Sequence, residues 1–201
     1  MRLRLPIVLL GLASAVLVRA GTVTINFDDG TAGNAIGSFY AAQGLTFSNA
    51  GWTGLAVTGI TGLGLVDITD DGANPPFTPT PTTPIVGVFS SAQSFVSILA
   101  GDVGIAGAKI DVYDAVTGGN LIGSDSFFGT GTGAGQTATL SVSGSGILRF
   151  ELYRPAAADE GLAFDNLTFS AGSAPVPEPS TLLMIAPGGA LLALLMVRKR
   201  S

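Results

Sequence analysis

The chain has 201 residues, 47% of them hydrophobic and only 11% charged, with neither cysteine nor histidine. Without those two residue types there is no disulfide framework, no zinc site of the usual kind, and no Ser-His-Asp or Cys-His nucleophile system. The formal net charge is −5, but it is unevenly spread, and that spread bounds the partners of the central part.

Residues 1–20 read as a signal peptide. Arg2 and Arg4 form a charged start, Leu5–Val18 is an apolar run, and Val18-Arg19-Ala20 presents residues of the kind signal peptidase inspects. Cleavage is expected between Ala20 and Gly21. An apolar run of fourteen residues falls below the roughly 18–20 needed to span a bilayer, so a removed signal outranks a first transmembrane helix.

Residues 21–174 form the body, long enough for one domain with a sizeable core. All eleven Phe, all three Tyr and Trp52 lie within it. Its cations are Lys109, Arg149 and Arg154, set against thirteen carboxylates, a net charge of −10. Such a surface repels nucleic acid and anionic lipid and favours cations.

Short alternating runs separated by Gly, Asn, Asp and Ser predict strands rather than helices. Val23, Ile25 and Phe27 share one face of a strand over 22–27. Further strands are expected at 45–48, 56–60, 85–89, 95–100, 109–113, 120–127, 136–142, 147–152 and 162–169. Leu148, Phe150 and Leu152 mark an apolar face, with Arg149 and Glu151 on the other. Thr117-Gly-Gly-Asn120 reads as a hairpin turn before the 120–127 strand. Only 33–42 hints at a brief helix. The fold class is therefore all-β, an antiparallel β-sandwich of jelly-roll type, flanked by an N-terminal signal helix and a C-terminal hydrophobic helix. Residues 74–84, with five prolines and four threonines, predict an extended surface crossover. Residues 129–135 read as a flexible Gly-rich tip rather than a phosphate loop, since no G-x-x-x-x-G-K pattern occurs.

Residues 175–201 contain a rigid polar motif, Pro177-Glu178-Pro179, then the apolar run Leu182–Val197, then Arg198-Lys199-Arg200. Sixteen apolar residues make about 24 Å of helix, less than the roughly 30 Å hydrocarbon core, and Pro187-Gly188-Gly189 weakens it. The basic end sets the cytoplasmic side. A transient stop in the inner membrane suits this segment better than a permanent anchor, although a plain tail anchor is the alternative. In order and spacing the segment resembles the PEP-CTERM sorting signal of Gram-negative bacteria. That resemblance implies recognition by an exosortase and delivery to the cell surface or the extracellular polymer matrix of a biofilm.

Within the body, Asp28 and Asp29 close the first strand, and Asp165 and Asn166 lie in the last. If the first and last strands are neighbours, these hard oxygen donors could hold Ca²⁺, or they could cap turns as Asx residues do. Phe27-Asp28-Asp29 and Phe164-Asp165-Asn166 resemble the pieces that hold a structural calcium in galactose-binding-like sandwiches and carbohydrate-binding modules, and the resemblance implies the same role here. A bulge is expected at Asp165-Asn166. Asp67, Asp70 and Asp71 read as a solvated turn without EF-hand spacing. Asp159-Glu160 is a carboxylate pair with nothing around it to support glycoside hydrolysis. Trp52, Tyr40 and Tyr153 are candidates to stack on sugar rings, against core or rim packing.

The main functional expectation is an exported, non-enzymatic surface or matrix protein with a structural calcium. The alternative is a carbohydrate-binding module for exopolysaccharide. An exported hydrolase would rest on carboxylates alone.

Overall fold

In the computed structural model, residues 21–68, 78–131, 135–157 and 161–171 are described, all within one unit, Ala20–Gly172. The expected signal peptide with Ala20, the expected sorting signal with Pro177, Glu178, Pro179, Arg198, Lys199 and Arg200, and the carboxylates Asp70, Asp71, Asp159 and Glu160 lie outside the described residues.

The alternating runs become nine strands: β1 (Thr22–Ile25), β2 (Leu45–Ser48), β3 (Gly51–Thr53), β4 (Gly64–Val66), β5 (Ile85–Val103), β6 (Ala108–Tyr113), β7 (Leu121–Phe127), β8 (Gln136–Tyr153) and β9 (Ala163–Ala171). All their pairings are antiparallel. The order is β3-β4-β9-β5-β8-β6-β7, with β1 also on β9 and β2 also on β5. First and last strands are neighbours, Ile25 opposite Leu167, as expected. Among the described residues no helix is long and apolar enough to cross a membrane.

Four expectations need correction. The strands 85–89 and 95–100 are one strand of 19 residues, and 136–142 and 147–152 are one of 18. Both bend where their mutual register slips, between the pairs Val88–Arg149 and Phe95–Ser143. Gly146, at φ +83, lets β8 turn there, because an L side chain is strained in that region. The early part of β5 pairs with β2 and with the late part of β8, which pairs in turn with β6; the later part of β5 pairs with β9 and with the early part of β8. A single continuous sheet thus folds over on itself, its long strands turning the corners. The strand expected at 56–60 is absent. Gly59 has φ +84, and the sheet takes up β3 and β4 on either side instead. The helix expected at 33–42 reduces to one 3-10 turn at Ala41–Gln43. Finally, β1 stops at Ile25, because Phe27 adopts φ +58 and turns the chain.

The turn at Phe27 does not expose its ring, which is fully buried. It opens a chain of aromatic contacts through the core. Phe27 meets Phe47 at 6.0 Å, Phe47 meets Phe150 at 6.0 Å, Phe150 meets Phe89 at 5.4 Å, and Phe89 meets Phe169 at 4.9 Å between ring centroids. Phe47 comes from β2 and Phe169 from β9, so these rings tie the two halves of the folded sheet together. Each tilted or edge-on pair adds about 0.5–1.5 kcal/mol beyond area burial. With no cysteine, packing of this kind carries the fold without disulfide support.

Candidate functional site on the β6–β8 face

The outer face of β6 and β8 gathers most of the body's chemistry. Along β6, Lys109, Asp111 and Tyr113 alternate with Ile110 and Val112, which are fully buried. Along β8, Arg149, Glu151 and Tyr153 alternate with buried Phe150 and Leu152. Period-two alternation therefore puts all six polar side chains on one side. The register sets Lys109 opposite Tyr153, Asp111 opposite Glu151, and Tyr113 opposite Arg149.

Two carboxylates directly opposed on neighbouring strands would repel, and each is neutralised along its own strand. Lys109 Nζ lies 3.0 Å from Asp111 Oδ1, and Arg149 pairs with Glu151. The tyrosines cross between strands. Tyr153 donates to Asp111 Oδ2 at 2.7 Å and Tyr113 donates to Glu151 Oε2 at 3.0 Å. The cations also address the rings: Arg149 Cζ is 3.9 Å from the Tyr113 centroid, and Lys109 Nζ is 5.5 Å from that of Tyr153. Ser124 on β7 donates a further bond to Asp111.

The neighbouring hairpin completes the face. Gly118 and Gly119, at φ +60 and +85, curl the β6–β7 loop, and Asp114 holds it by accepting Asn120 N at 2.6 Å. The Gly118 carbonyl then accepts from Arg149 Nη2 at 2.8 Å.

Burial pushes the Asp111 carboxyl up, but hydrogen bonds from Ser124, Tyr153 and Lys109 outweigh it and hold it below the usual carboxylate range. Contact with Tyr153, then pairing with Asp111, outweighs burial and keeps the Lys109 ammonium above its ordinary value. Burial and the Glu151 hydrogen bond push the Tyr113 phenol up to about 12. At neutral pH Asp111 is thus a carboxylate, Lys109 an ammonium, and Tyr113 and Tyr153 neutral phenols. The face offers tyrosine rings beside hydrogen-bonding groups.

Of the aromatics proposed for sugar stacking, only Tyr153 lies on this face. Tyr40 is 1% exposed and Trp52 4%. Tyr40 donates to Asp29 Oδ1 at 2.5 Å, and burial followed by that bond raises its pKa. Trp52 forms part of the wall of a cavity of about 630 Å³, together with Leu55, Val57, Val66 and Leu162. The same wall also carries the polar residues Thr53, Asp67 and Thr78. Tyr113 and the four charged partners were missed as a site, although the signal was available: Lys109-Ile-Asp111-Val-Tyr113 and Arg149-Phe-Glu151-Leu-Tyr153 repeat one cation-x-acid-x-Tyr pattern.

The residues proposed for calcium are partly brought together. Asp28 Oδ1 accepts Leu63 N at 3.0 Å and Oδ2 accepts Asn26 Nδ2 at 2.9 Å. Asp165 accepts Asn166 N at 2.7 Å and Asn166 Nδ2 at 3.2 Å, and also a backbone bond from Thr61. Asp28 and Asp165 therefore address the same Thr61–Leu63 loop. Gly62 within it has φ +78, and a Cβ there would lie 1.9 Å from Asp28 Oδ1. Burial, opposed by the Asn166 and Thr61 bonds and aided by the charge of Asp28, keeps the Asp165 carboxyl above its usual range. The expected bulge is present, with Asn166 at φ +51 where the β5–β9 register slips. Asp29 turns instead to Tyr40. Among the described residues no three or more carboxylate, His or Cys side chains gather as a metal group. A Ca²⁺ held by these two carboxylates would draw the rest of its six to eight oxygens from backbone carbonyls, Asn166 and water.

Neither a protein-family model nor a curated protein matches the chain. Among solved structures it is similar to the K2 cleaved adhesin domain of Lys-gingipain, with a TM-score of 0.47 and 14% identity over 75% of this chain and 98% of that one. It is also similar to the K1 cleaved adhesin domain of Lys-gingipain from Porphyromonas gingivalis W83, at 0.43 and 10% over 76% and 99%. A family 29 carbohydrate-binding module gives 0.41 and 12% over 77% and 91%. These likenesses are distant, and no residue's role is taken from them.

Proposed function

We propose that this chain is an exported, non-enzymatic protein of the surface or extracellular matrix of a Gram-negative bacterium, whose folded sheet binds an extracellular polysaccharide. The observation that carries the reading is the pair of tyrosines on the β6–β8 face, each set among hydrogen-bonding charges. Aromatic faces suit the apolar surfaces of sugar rings, and charged acceptors and donors suit their hydroxyls. The test is affinity electrophoresis of the full chain in gels containing soluble polysaccharides. Retardation by at least one polymer is expected. No retardation in any of them leaves a purely structural surface protein, a reading favoured by the mutual pairing of all six groups.

The route to the surface rests on the two terminal segments. Their resemblance to a signal peptide and a PEP-CTERM signal supports processing by signal peptidase between Ala20 and Gly21 and by an exosortase at Pro177-Glu178-Pro179, with transient residence in the inner membrane. Replacing those three tail residues by alanine is expected to block tail processing and to retain the protein in the inner membrane. Unchanged processing and localisation would remove the sorting step.

Calcium is a separable part of the proposal, placed at Asp28 and Asp165 with Asp29 and Asn166 nearby. A ligand that binds only the folded state stabilises it by RT ln(1 + [L]/Kd), so Ca²⁺ at a hundred times Kd is expected to raise Tm by roughly 5–10 °C. Chelator should reverse the rise, and identical melting curves with and without Ca²⁺ would remove the ion.

A further inference from the structure

The six side chains of the β6–β8 face obey a local two-fold. Half a turn about an axis normal to the sheet carries Lys109, Asp111 and Tyr113 onto Arg149, Glu151 and Tyr153, because the strands are antiparallel and Asp111 stands opposite Glu151. The contacts follow the same operation. Tyr153 reaches Asp111 as Tyr113 reaches Glu151, Lys109 pairs with Asp111 as Arg149 pairs with Glu151, and each cation lies over the ring of the tyrosine opposite it. Any antiparallel pair has this symmetry in its backbone. Here the repeated cation-x-acid-x-Tyr pattern makes it chemical, and the departures from it are Ser124, bonded to Asp111, and the Gly118 carbonyl, bonded to Arg149.

A linear ligand lying along the strands meets a ring, a charged centre and a second ring, in that order from either end. The two tyrosines are four residues apart along the strands, about 13 Å at 3.3 Å per residue. Both hydroxyls point inward to the central carboxylates. The adjoining outer positions carry short side chains: Val86 and Val88 on β5, Thr46 and Ser48 on β2. The face is therefore shallow on its β5 and β2 side.

Charge selects among such chains. The four ionic groups of the face cancel, while the body as a whole has three cations against thirteen carboxylates. A polyanion gains no net attraction at the face and is repelled by its surroundings. An uncharged polymer pays no such penalty. Glu151 accepts two donors out of about four lone-pair sites, and both tyrosine oxygens can accept another, so ligand hydroxyls have acceptors to meet.

We propose that these six side chains form one non-directional site that holds an internal stretch of an uncharged linear polysaccharide, with a sugar unit over each tyrosine. The proposal rests on the polysaccharide-binding reading and adds the ligand's charge, its internal binding and its indifference to chain direction. The probes are hydroxyethylcellulose, barley β-glucan and galactomannan, with alginate and polygalacturonate as polyanions, in affinity electrophoresis of the full chain. Oligosaccharides of the polymer that binds are then titrated with native and borohydride-reduced ends.

The expected results are retardation by an uncharged polymer alone and equal affinity for native and reduced oligosaccharides. Tyr113→Ala and Tyr153→Ala should each lose roughly ten-fold in affinity, equal within about three-fold, while circular dichroism reports the intact fold. If an alanine variant does not fold, Tyr113→Phe and Tyr153→Phe keep the rings and are expected to bind within three-fold of the native protein and of each other. Unequal losses, an effect of end reduction, or retardation by the polyanions would overturn the proposal while the polysaccharide reading stands. So would polymer binding that both alanine variants leave unchanged. Absence of binding to every polymer would overturn both.

Discussion

Replacing Phe150 by alanine is expected to destabilise the protein by about 3–5 kcal/mol, the range for deleting a buried aromatic ring. In a domain of this size that corresponds to a fall in Tm of roughly 10 °C. Phe150 is fully buried, meets Phe47 edge-on and Phe89 at a tilt, and lies directly over Gly87, where an added Cβ would sit 2.1 Å from the ring. The same geometry predicts the behaviour of the partner. Gly87→Ala in the native background overpacks the site and should cost about 1–3 kcal/mol. In the Phe150→Ala background the new methyl enters the cavity, and that cost should disappear. Urea denaturation of the four proteins of this double-mutant cycle measures the coupling. If the two costs simply add, Gly87 and Phe150 are not packed against each other as described.

The second large effect is expected at Asp111. Its side chain is 8% exposed and accepts from Lys109, Ser124 and Tyr153. Asp111→Asn keeps the volume but removes the charge those donors serve, and should cost about 2–3 kcal/mol at pH 7, in the range for hydrogen bonds to charged groups. The sign with pH follows from the depressed carboxyl. A carboxylate held below its unfolded value contributes stability that is fully present above that value, about 3.9, and is lost as pH falls through the folded value. The gap between native protein and variant should therefore be constant from neutral pH down to the ordinary carboxylate range and close below it. Paired urea titrations from pH 7 to pH 2.5 check this. A gap that persists at the acid end would show that Asp111 acts through shape rather than charge. At the other extreme, the Tyr113 phenol is raised to about 12, so its contribution is intact below the ordinary value near 10 and fades as pH rises through 12.

Alternation along single strands was legible without coordinates. Val23 and Ile25, the Ile110–Val112 face and the Phe150–Leu152 face are each set by neighbours two residues apart, a local property of the backbone. The Gly118-Gly119 turn was legible for a similar reason, since only a few residue types take positive φ at little cost. The adjacency of the first and last strands followed from the expected architecture, whereas the Thr61–Leu63 loop that Asp28 and Asp165 both address was not legible.

The corners were less legible. Nothing local distinguishes two short strands from one long strand with a slipped register, because the bend is stabilised by packing between the halves it joins. The burial of Trp52 and Tyr40 is of the same kind. Their rings edge against each other and Phe39, a contact decided by how distant strands and loops come together. Tyr153 and Tyr40 look alike in sequence, yet one crosses a sheet face and the other reaches inward to Asp29.

Composition and order alone established an all-β chain, the body's negative charge, the absence of thiol and imidazole chemistry, and the two terminal segments that read as export signals. The tertiary structure decided which side chains share a face. Lys109-x-Asp111-x-Tyr113 and Arg149-x-Glu151-x-Tyr153 lie forty residues apart and carry no instruction to meet. The antiparallel register of β6 and β8, set by the fully buried Ile110, Val112, Phe150 and Leu152 beneath, brings them into one two-fold site. A slip of one residue would turn every one of those apolar side chains toward water, so burial of the core fixes the geometry of the face above it.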